Sequence, residues 1–276
     1  MVSIKNNLDK KAFELRQKIL KIVIKRGGHL ATSLSSLDIL VSLFYSGVLN
    51  YKYSKPNWEY RDRFILSKGH AETLIYSILD DLKFFPKTYF ENHYRAGKFL
   101  LGGHTDCKVP GIEFTAGALG HGLSLACGTA LALKRKKNNS KVFVLMSDGE
   151  CTEGSVWEAA IFASHHKLEN LIVIVDHNRL STTDFLTNFT NISNLTKKFQ
   201  SFGWNSKNID GHNILKMKKI FMNIKKNNSK KPTIFIAETI KGKGIDFIEN
   251  DPSRHTKGLS KEEEVKAKRI LNIYEN

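Results

Sequence analysis

One stretch restricts the fold more than any other: residues 141–181, KVFVLMSDGECTEGSVWEAAIFASHHKLENLIVIVDHNRLS. It opens on an apolar run, 142–146, the length of one buried strand. Ser147-Asp148-Gly149 ends that run. The spacing of Trp157, Ala160, Ile161 and Ala163 predicts a helix with one apolar face. A second apolar run, 171–175, ends at Asp176-His177-Asn178. Strand, helix, strand in this order reads as a parallel βαβ unit. Parallel sheets bind ligands beyond the carboxyl ends of their strands, and Asp148 and Asn178 both fall there. A carboxylate and an amide oxygen converging at one edge suit a hard cation such as Mg²⁺.

The remaining chain repeats the alternation. Leu8, Phe13, Leu15, Ile19, Ile22 and Val23 predict a helix over 8–25, ended by Gly27-Gly28. His29 follows in the turn, and 33–38 opens a second helix that runs through Tyr45. A short strand, 64–66, leads into Ser67-Lys68-Gly69-His70 and a helix from Ala71, which places a His where helix N-termini favour anions. Residues 84–101 read as a connecting helical segment, followed by a loop, Gly102-Gly103-His104-Thr105-Asp106. Gly117, Gly120 and Gly122 precede a small-residue helix over 124–133; such a loop lets a ring or phosphate lie against backbone. A helix around 195–199, a strand-like stretch from 202 to about 210, a helix over 213–226, a strand over 233–238 and Lys241-Gly242-Lys243-Gly244 follow. A charged helix closes the chain from about 260. The pattern is α/β: a doubly wound parallel sheet with helices on both faces, one domain over 1–276 with a helical tail.

Composition excludes some functions. Lys+Arg number 43 against 27 Asp+Glu, a formal net charge of +16 at pH 7. The lysines are scattered beside asparagines and no nucleic-acid motif accompanies them, so nucleic acid is not an expected partner. Attraction of phosphorylated small molecules or of an acidic protein chain fits better. Cys107, Cys127 and Cys151, an odd set without metal-ligand spacing, read as reduced thiols of a cytoplasmic protein. No signal-peptide core and no run of membrane-spanning length is expected.

Several blocks then agree. RDRFILSKGH, TAGALGHGLSLACGTALA, SDGECTEGSVWEAA, LIVIVDHN and KGKGIDFIENDP, in that order, resemble the N-terminal, diphosphate-binding domain of transketolase, most of all the separate N-terminal subunit made where the enzyme is two chains. The resemblance covers roughly 10–265 and implies thiamine diphosphate with Mg²⁺ or Ca²⁺. It implies Asp148, Asn178 and the Leu180 carbonyl as metal ligands. It implies cofactor contacts from Gly149, Glu150, His70 and His255, and from the backbone of Gly117, Ala118 and Leu119. His29, His104 and His255 are implied to face the chemistry, where imidazoles donate and accept protons near neutral pH, and Glu153 to be a supporting or proton-relay acid.

The family's ring-activating glutamate and many of its arginines for sugar phosphates belong to a second domain, and none is expected after Asn276. The resemblance therefore implies a catalytically incomplete chain. Its partner would be a C-terminal subunit with a pyrimidine-binding domain, in an α2β2 heterotetramer that transfers a two-carbon ketol unit between sugars or sugar phosphates. The alternatives are a 1-deoxyxylulose 5-phosphate synthase, a ketoacid decarboxylating component and a non-catalytic binding subunit. Ser147 stands where the family has the first Gly of Gly-Asp-Gly, Thr105 where it has Pro, and Arg254 where it has Trp. Ala118 and His121 also depart from its usual residues; this clustering on the substrate side has two readings, a donor or acceptor outside central pentose metabolism, or neutral drift in a Lys/Asn-rich sequence.

Overall fold

Five short runs become five parallel strands: β1 (Arg63–Leu66), β2 (Val142–Ser147), β3 (Leu171–His177), β4 (Asn205–Asp210) and β5 (Thr233–Glu238). They form one sheet in the order β1-β2-β3-β5-β4. The computed structural model describes residues 2–91, 104–226 and 229–274. Helices cover both faces: α1 (Val2–Arg26), α2 (Leu30–Phe44), α3 (Glu72–Asp81), α4 (Lys87–Glu91), α5 (Gly122–Arg135), α6 (Gly154–His165), α7 (Leu195–Ser201), α8 (Ile214–Lys226) and α9 (Lys261–Ile270). Of the predicted helical segment 84–101, residues 84–86 are not helical, Lys87–Glu91 form α4, and 92–101, with Gly102-Gly103, lie outside the described residues.

Successive strand residues point to opposite faces, and the core divides accordingly. Phe143, Leu145, Ile172 and Ile174 face α1, α2, α3 and α8, while Val144, Met146, Val173 and Val175 face α5, α6 and α7. α2 is buried at every residue, which is why it carries Ser33, Ser35, Ser36 and Asp38 rather than lysines. It begins three residues earlier than the sequence predicts, so His29 becomes its N-cap residue. α6 differs from expectation in a second way. Its buried side is Val156, Ala159, Ala160 and Ala163, and Ile161 is 56% exposed.

Two polar links hold the sheet's ligand edge. Arg16 Nη2 donates to both Asp38 oxygens at 2.8 Å, and His212 Nδ1 lies 2.8 Å from Asp38 Oδ2. The Ile240 N–H donates to His212 Nε2 at 2.9 Å, so the chain leaving β5 is fixed from α1 outward. Arg254 Nε donates to Asp251 at 3.1 Å and Nη1 to Glu263 at 3.0 Å. That pins the turn Pro252–His255 against the first turn of α9, which Ser260 and Glu263 cap reciprocally. Arg254 thus has a structural reason to stand where a Trp was expected. Among the described residues no helix is long and apolar enough to cross a membrane.

Candidate functional site

Register sets the site. Ser147 at the end of β2 lies opposite Asp176 of β3, and β5 brings Glu238 level with His177. Asp148 follows directly and is fully buried. Its carboxylate accepts from the Gly149 N–H at 2.8 Å and the Arg179 N–H at 2.6 Å, and lies 3.0 Å from His177 Nδ1. Burial opposes a charged His177, but the bond to Asp148 outweighs it and holds the ring's pKa above its ordinary value. Asn178 is buried on the same edge; its Oδ1 accepts from the Leu180 N–H at 3.0 Å and its Nδ2 donates to Ser35 at 3.3 Å. Asp148, Asn178 and Leu180 are therefore together, as oxygen donors of the kind a hard cation takes.

Ser147 causes no distortion. Its Oγ accepts from the Glu150 N–H at 3.3 Å, and a short turn, Gly149–Thr152, follows with ordinary backbone. Glu150, expected to touch cofactor, has its carboxylate turned inward. It accepts from Ser67 Oγ, from the Gly120 N–H at 3.0 Å and from the Ser147 N–H at 2.8 Å. Burial raises its pKa. Its side chain braces the ends of β1 and β2 and the turn before α5, and its backbone remains in the Asp148–Gly149 turn.

Three of the predicted histidines meet. The His29 and His70 rings lie 6.0 Å apart, His29 and His255 5.6 Å, His70 and His255 5.1 Å. His29 Nδ1 is buried without a hydrogen-bond partner, 3.9 Å from Glu72 Oε2. His104 lies in the loop against the 116–119 turn. Its ring packs over Gly117, where a Cβ would come within 3.7 Å of it, and its carbonyl accepts from the Tyr76 hydroxyl at 3.1 Å. The same hydroxyl accepts from the Asp106 N–H at 3.0 Å. Thr105 Oγ1 accepts from the Ala116 N–H at 3.1 Å, tying the His104 loop to the 116–119 turn with a bond that Pro offers no hydroxyl to make. Gly120 has φ +79, and a Cβ there would sit 2.7 Å from Cβ of Glu153. Glu153 itself is exposed at the start of α6, away from the histidine trio.

Two lysines complete the floor. Lys68 is fully buried and pairs with Asp176, and donates to Ser36 at 2.9 Å. Asp176 also accepts from Ser35, Ser36 and Thr239. Burial alone would raise its pKa; Lys68 and these hydroxyls outweigh it and hold it well below the carboxylate range. Lys241 is 2% exposed and, among the described residues, has no carboxylate at ion-pair distance. Its Nζ donates to the Ser181 carbonyl at 3.0 Å and lies 3.1 Å from His255 Nδ1. Burial and then Lys68 lower its pKa to about 8. Burial and then Lys241 push His255 down to about 4, and burial and Lys68 push His70 well below its ordinary value. Both lysines sit inside motifs that the sequence marks, Ser67-Lys68-Gly69-His70 and Lys241-Gly242-Lys243-Gly244, but nothing local shows that they are buried.

This edge therefore offers oxygen donors for a cation beside a buried lysine that, among the described residues, has no carboxylate at ion-pair distance, and beside His70 and His255, both held toward the neutral form. That donor set fits a metal-bound diphosphate. Residues 14–275 match the family described as transketolase, thiamine diphosphate binding domain. An apulose-4-phosphate transketolase subunit of Phocaeicola vulgatus is 36% identical over 241 residues, 87% of this chain and 85% of that one. A 6-deoxy-6-sulfo-D-fructose transketolase subunit of a Clostridium species is 33% identical over 258 residues, 93% of each chain. A transketolase crystal structure from Campylobacter jejuni aligns at TM-score 0.87 and 31% identity over 96% of this chain. The chain spans 42% of that transketolase's length.

Proposed function

The chain belongs to the transketolase family through its thiamine diphosphate binding domain, and on that premise we propose that it is the N-terminal subunit of a two-chain transketolase. The observation that carries this reading is Lys241: a buried lysine that, among the described residues, has no carboxylate at ion-pair distance and lies 3.1 Å from His255 Nδ1. In this reading Asp148, Asn178 and the Leu180 carbonyl hold Mg²⁺ or Ca²⁺. The Gly149 N–H, His70, His255 and Lys241 take the diphosphate, and the 117–119 turn flanks the ring. Bound thiamine diphosphate supplies the nucleophilic carbon for carbon–carbon cleavage and transfer of a two-carbon ketol unit. His29 and His104 orient the sugar and exchange protons with its hydroxyl and carbonyl oxygens. Glu153, exposed on the chain alone, is a supporting acid in the assembled enzyme.

A C-terminal subunit with the pyrimidine-binding domain completes the site, in an α2β2 arrangement. Support comes from two relatives of about this length that are named as transketolase subunits. Those relatives are named for apulose-4-phosphate and 6-deoxy-6-sulfo-D-fructose. We extend their chemistry to a sugar with a terminal anionic group, outside central pentose metabolism. The three free cysteines support a cytoplasmic location.

Calorimetry with thiamine diphosphate and Mg²⁺, on the chain alone and with its partner, tests the reading. Metal-dependent binding that Asp148→Ala abolishes is expected. Absence of binding in both conditions would overturn it. Ordinary turnover of xylulose 5-phosphate and ribose 5-phosphate by the complex would end the specialised-sugar part alone.

A further inference from the structure

Helix α3 opens on a buried acid. Glu72 is its first residue and is fully buried, as are Thr73, Leu74, Ile75 and Tyr76 after it. A carboxylate taken out of water is costly unless charge or hydrogen bonds meet it. Two sources are local. The N-terminus of α3 favours a negative side chain in its first turn, and Thr73 Oγ1 donates to Glu72 Oε1 at 3.1 Å. The other oxygen, Oε2, lies 3.9 Å from His29 Nδ1.

His29 meets this acid from the start of α2, and its ring makes no capping bond. Its Nδ1 is buried and, among the described residues, has no hydrogen-bond partner. The neighbouring imidazoles approach edge to face, at interplanar angles of 70° for His70 and 69° for His255. Among the described residues, Glu72 is the one acid within 4.0 Å of His29. The His29 side chain as a whole is 27% exposed, so the ring buries its Nδ1 edge and shows the rest to the site.

A neutral imidazole carries one N–H, and the partner of one nitrogen decides where it sits. An ionised carboxylate accepts and never donates. A ring whose Nδ1 faces Glu72 therefore keeps its proton there and turns the Nε2 lone pair outward. Catalytic hydrogen bonds are often long until the site is filled, and about 1 Å of movement brings this pair to bonding distance. His255 is set the opposite way. Its Nδ1 lies 3.1 Å from Lys241 Nζ, an ammonium that only donates, so the ring's proton is left for Nε2.

We propose that Glu72 is a positioning residue for His29. It fixes the ring as the Nδ1–H form, so that Nε2 meets the sugar as an acceptor from a hydroxyl and not as a donor to a carbonyl. The proposal rests on the reading above in which His29 faces the sugar. His29 and His255 then stand side by side as one acceptor and one donor.

Long-range ¹H–¹⁵N correlation of the histidine rings in the full chain locates the proton directly, with His29 assigned by its loss in His29→Gln. The neutral ring should carry its proton on Nδ1; a proton on Nε2 overturns the proposal. That spectrum needs no substitution at Glu72. In the native complex, Glu72→Met keeps the bulk of the side chain and removes the acceptor. The donor is whichever of xylulose 5-phosphate, fructose 6-phosphate or apulose 4-phosphate the complex cleaves fastest. Its kcat/KM should fall about 100-fold, with metal-dependent thiamine diphosphate affinity unchanged. In a His29→Gln background the same substitution should cost less than about twofold, because a residue that acts through His29 has nothing left to act on. Equal losses in both backgrounds would make Glu72 structural and overturn the proposal. Thiamine diphosphate binding by the complex would then leave the functional reading standing.

Discussion

Lys241 Nζ lies 3.1 Å from Nδ1 of His255, and neither side chain has an acid beside it among the described residues. Burial holds both groups toward the neutral state, reinforced at Lys241 by Lys68 and at His255 by Lys241.

The pH dependence has a definite sign. His255 is lowered from 6.5 to about 4, and His70 is lowered as well. A depressed imidazole gives stability that is complete above its unfolded value of about 6.5 and is lost as pH falls through the folded value. The chain without ligand should therefore lose stability between about pH 6.5 and pH 4, measured by urea unfolding across that window. A bound diphosphate stabilises the charged rings, so its binding at pH 6 should take up protons. Calorimetry in two buffers of different ionisation heat reads that uptake, and identical heats would contradict it.

Lys241→Met separates stability from binding. It removes a buried ammonium that has no carboxylate, so the melting temperature should rise. Metal-dependent thiamine diphosphate binding should weaken by about 10- to 100-fold, the loss of one charge-assisted hydrogen bond. A variant that melts lower, or that binds unchanged, would assign Lys241 a purely structural role.

Lys68 should behave in the reverse way. Lys68→Met strands Asp176 inside the protein, at a cost of about 3–5 kcal/mol in denaturant unfolding. Replacing both partners with apolar residues should recover part of the loss. If the single substitution left stability intact, the pair would not be the buried contact described.

Tyr76→Phe tests the His104 loop. It leaves the Asp106 N–H without its acceptor and frees the His104 carbonyl, which predicts a loss of about 1–3 kcal/mol. In the assembled enzyme the donor KM should rise with little change in thiamine diphosphate affinity. A change in cofactor affinity without one in KM would place His104 elsewhere.

Much of this was legible from the residues, and the exceptions have physical reasons. Strands β2, β3 and β5 read cleanly because both their faces are buried and their runs are continuous. β4 is half exposed and mostly polar, and the apolar residues at 202–204 start the expected stretch of 202 to about 210 three residues ahead of the strand, Asn205–Asp210. The start of α2 was missed because His29 caps it without a side-chain bond, leaving no Ser, Thr, Asp or Asn signature. Asp148 and Asn178 were visible as strand-end polar residues. Lys68 and Lys241 were not, since lysine in a chain this basic reads as surface until a fold buries it. Ile161 reads as core-facing because apolar spacing alone does not distinguish a buried position from an exposed one.

Glu150 joins Ser67 just after β1, Gly120 in the turn before α5 and Ser147 at the end of β2 through one carboxylate in the interior. The turn before α5 cannot open without breaking that carboxylate's link to the sheet. The lip of the site is on the same clock as the sheet: the Gly120 amide, though it sits in a surface turn, should exchange its hydrogen with solvent at the pace of β2 rather than that of a loop.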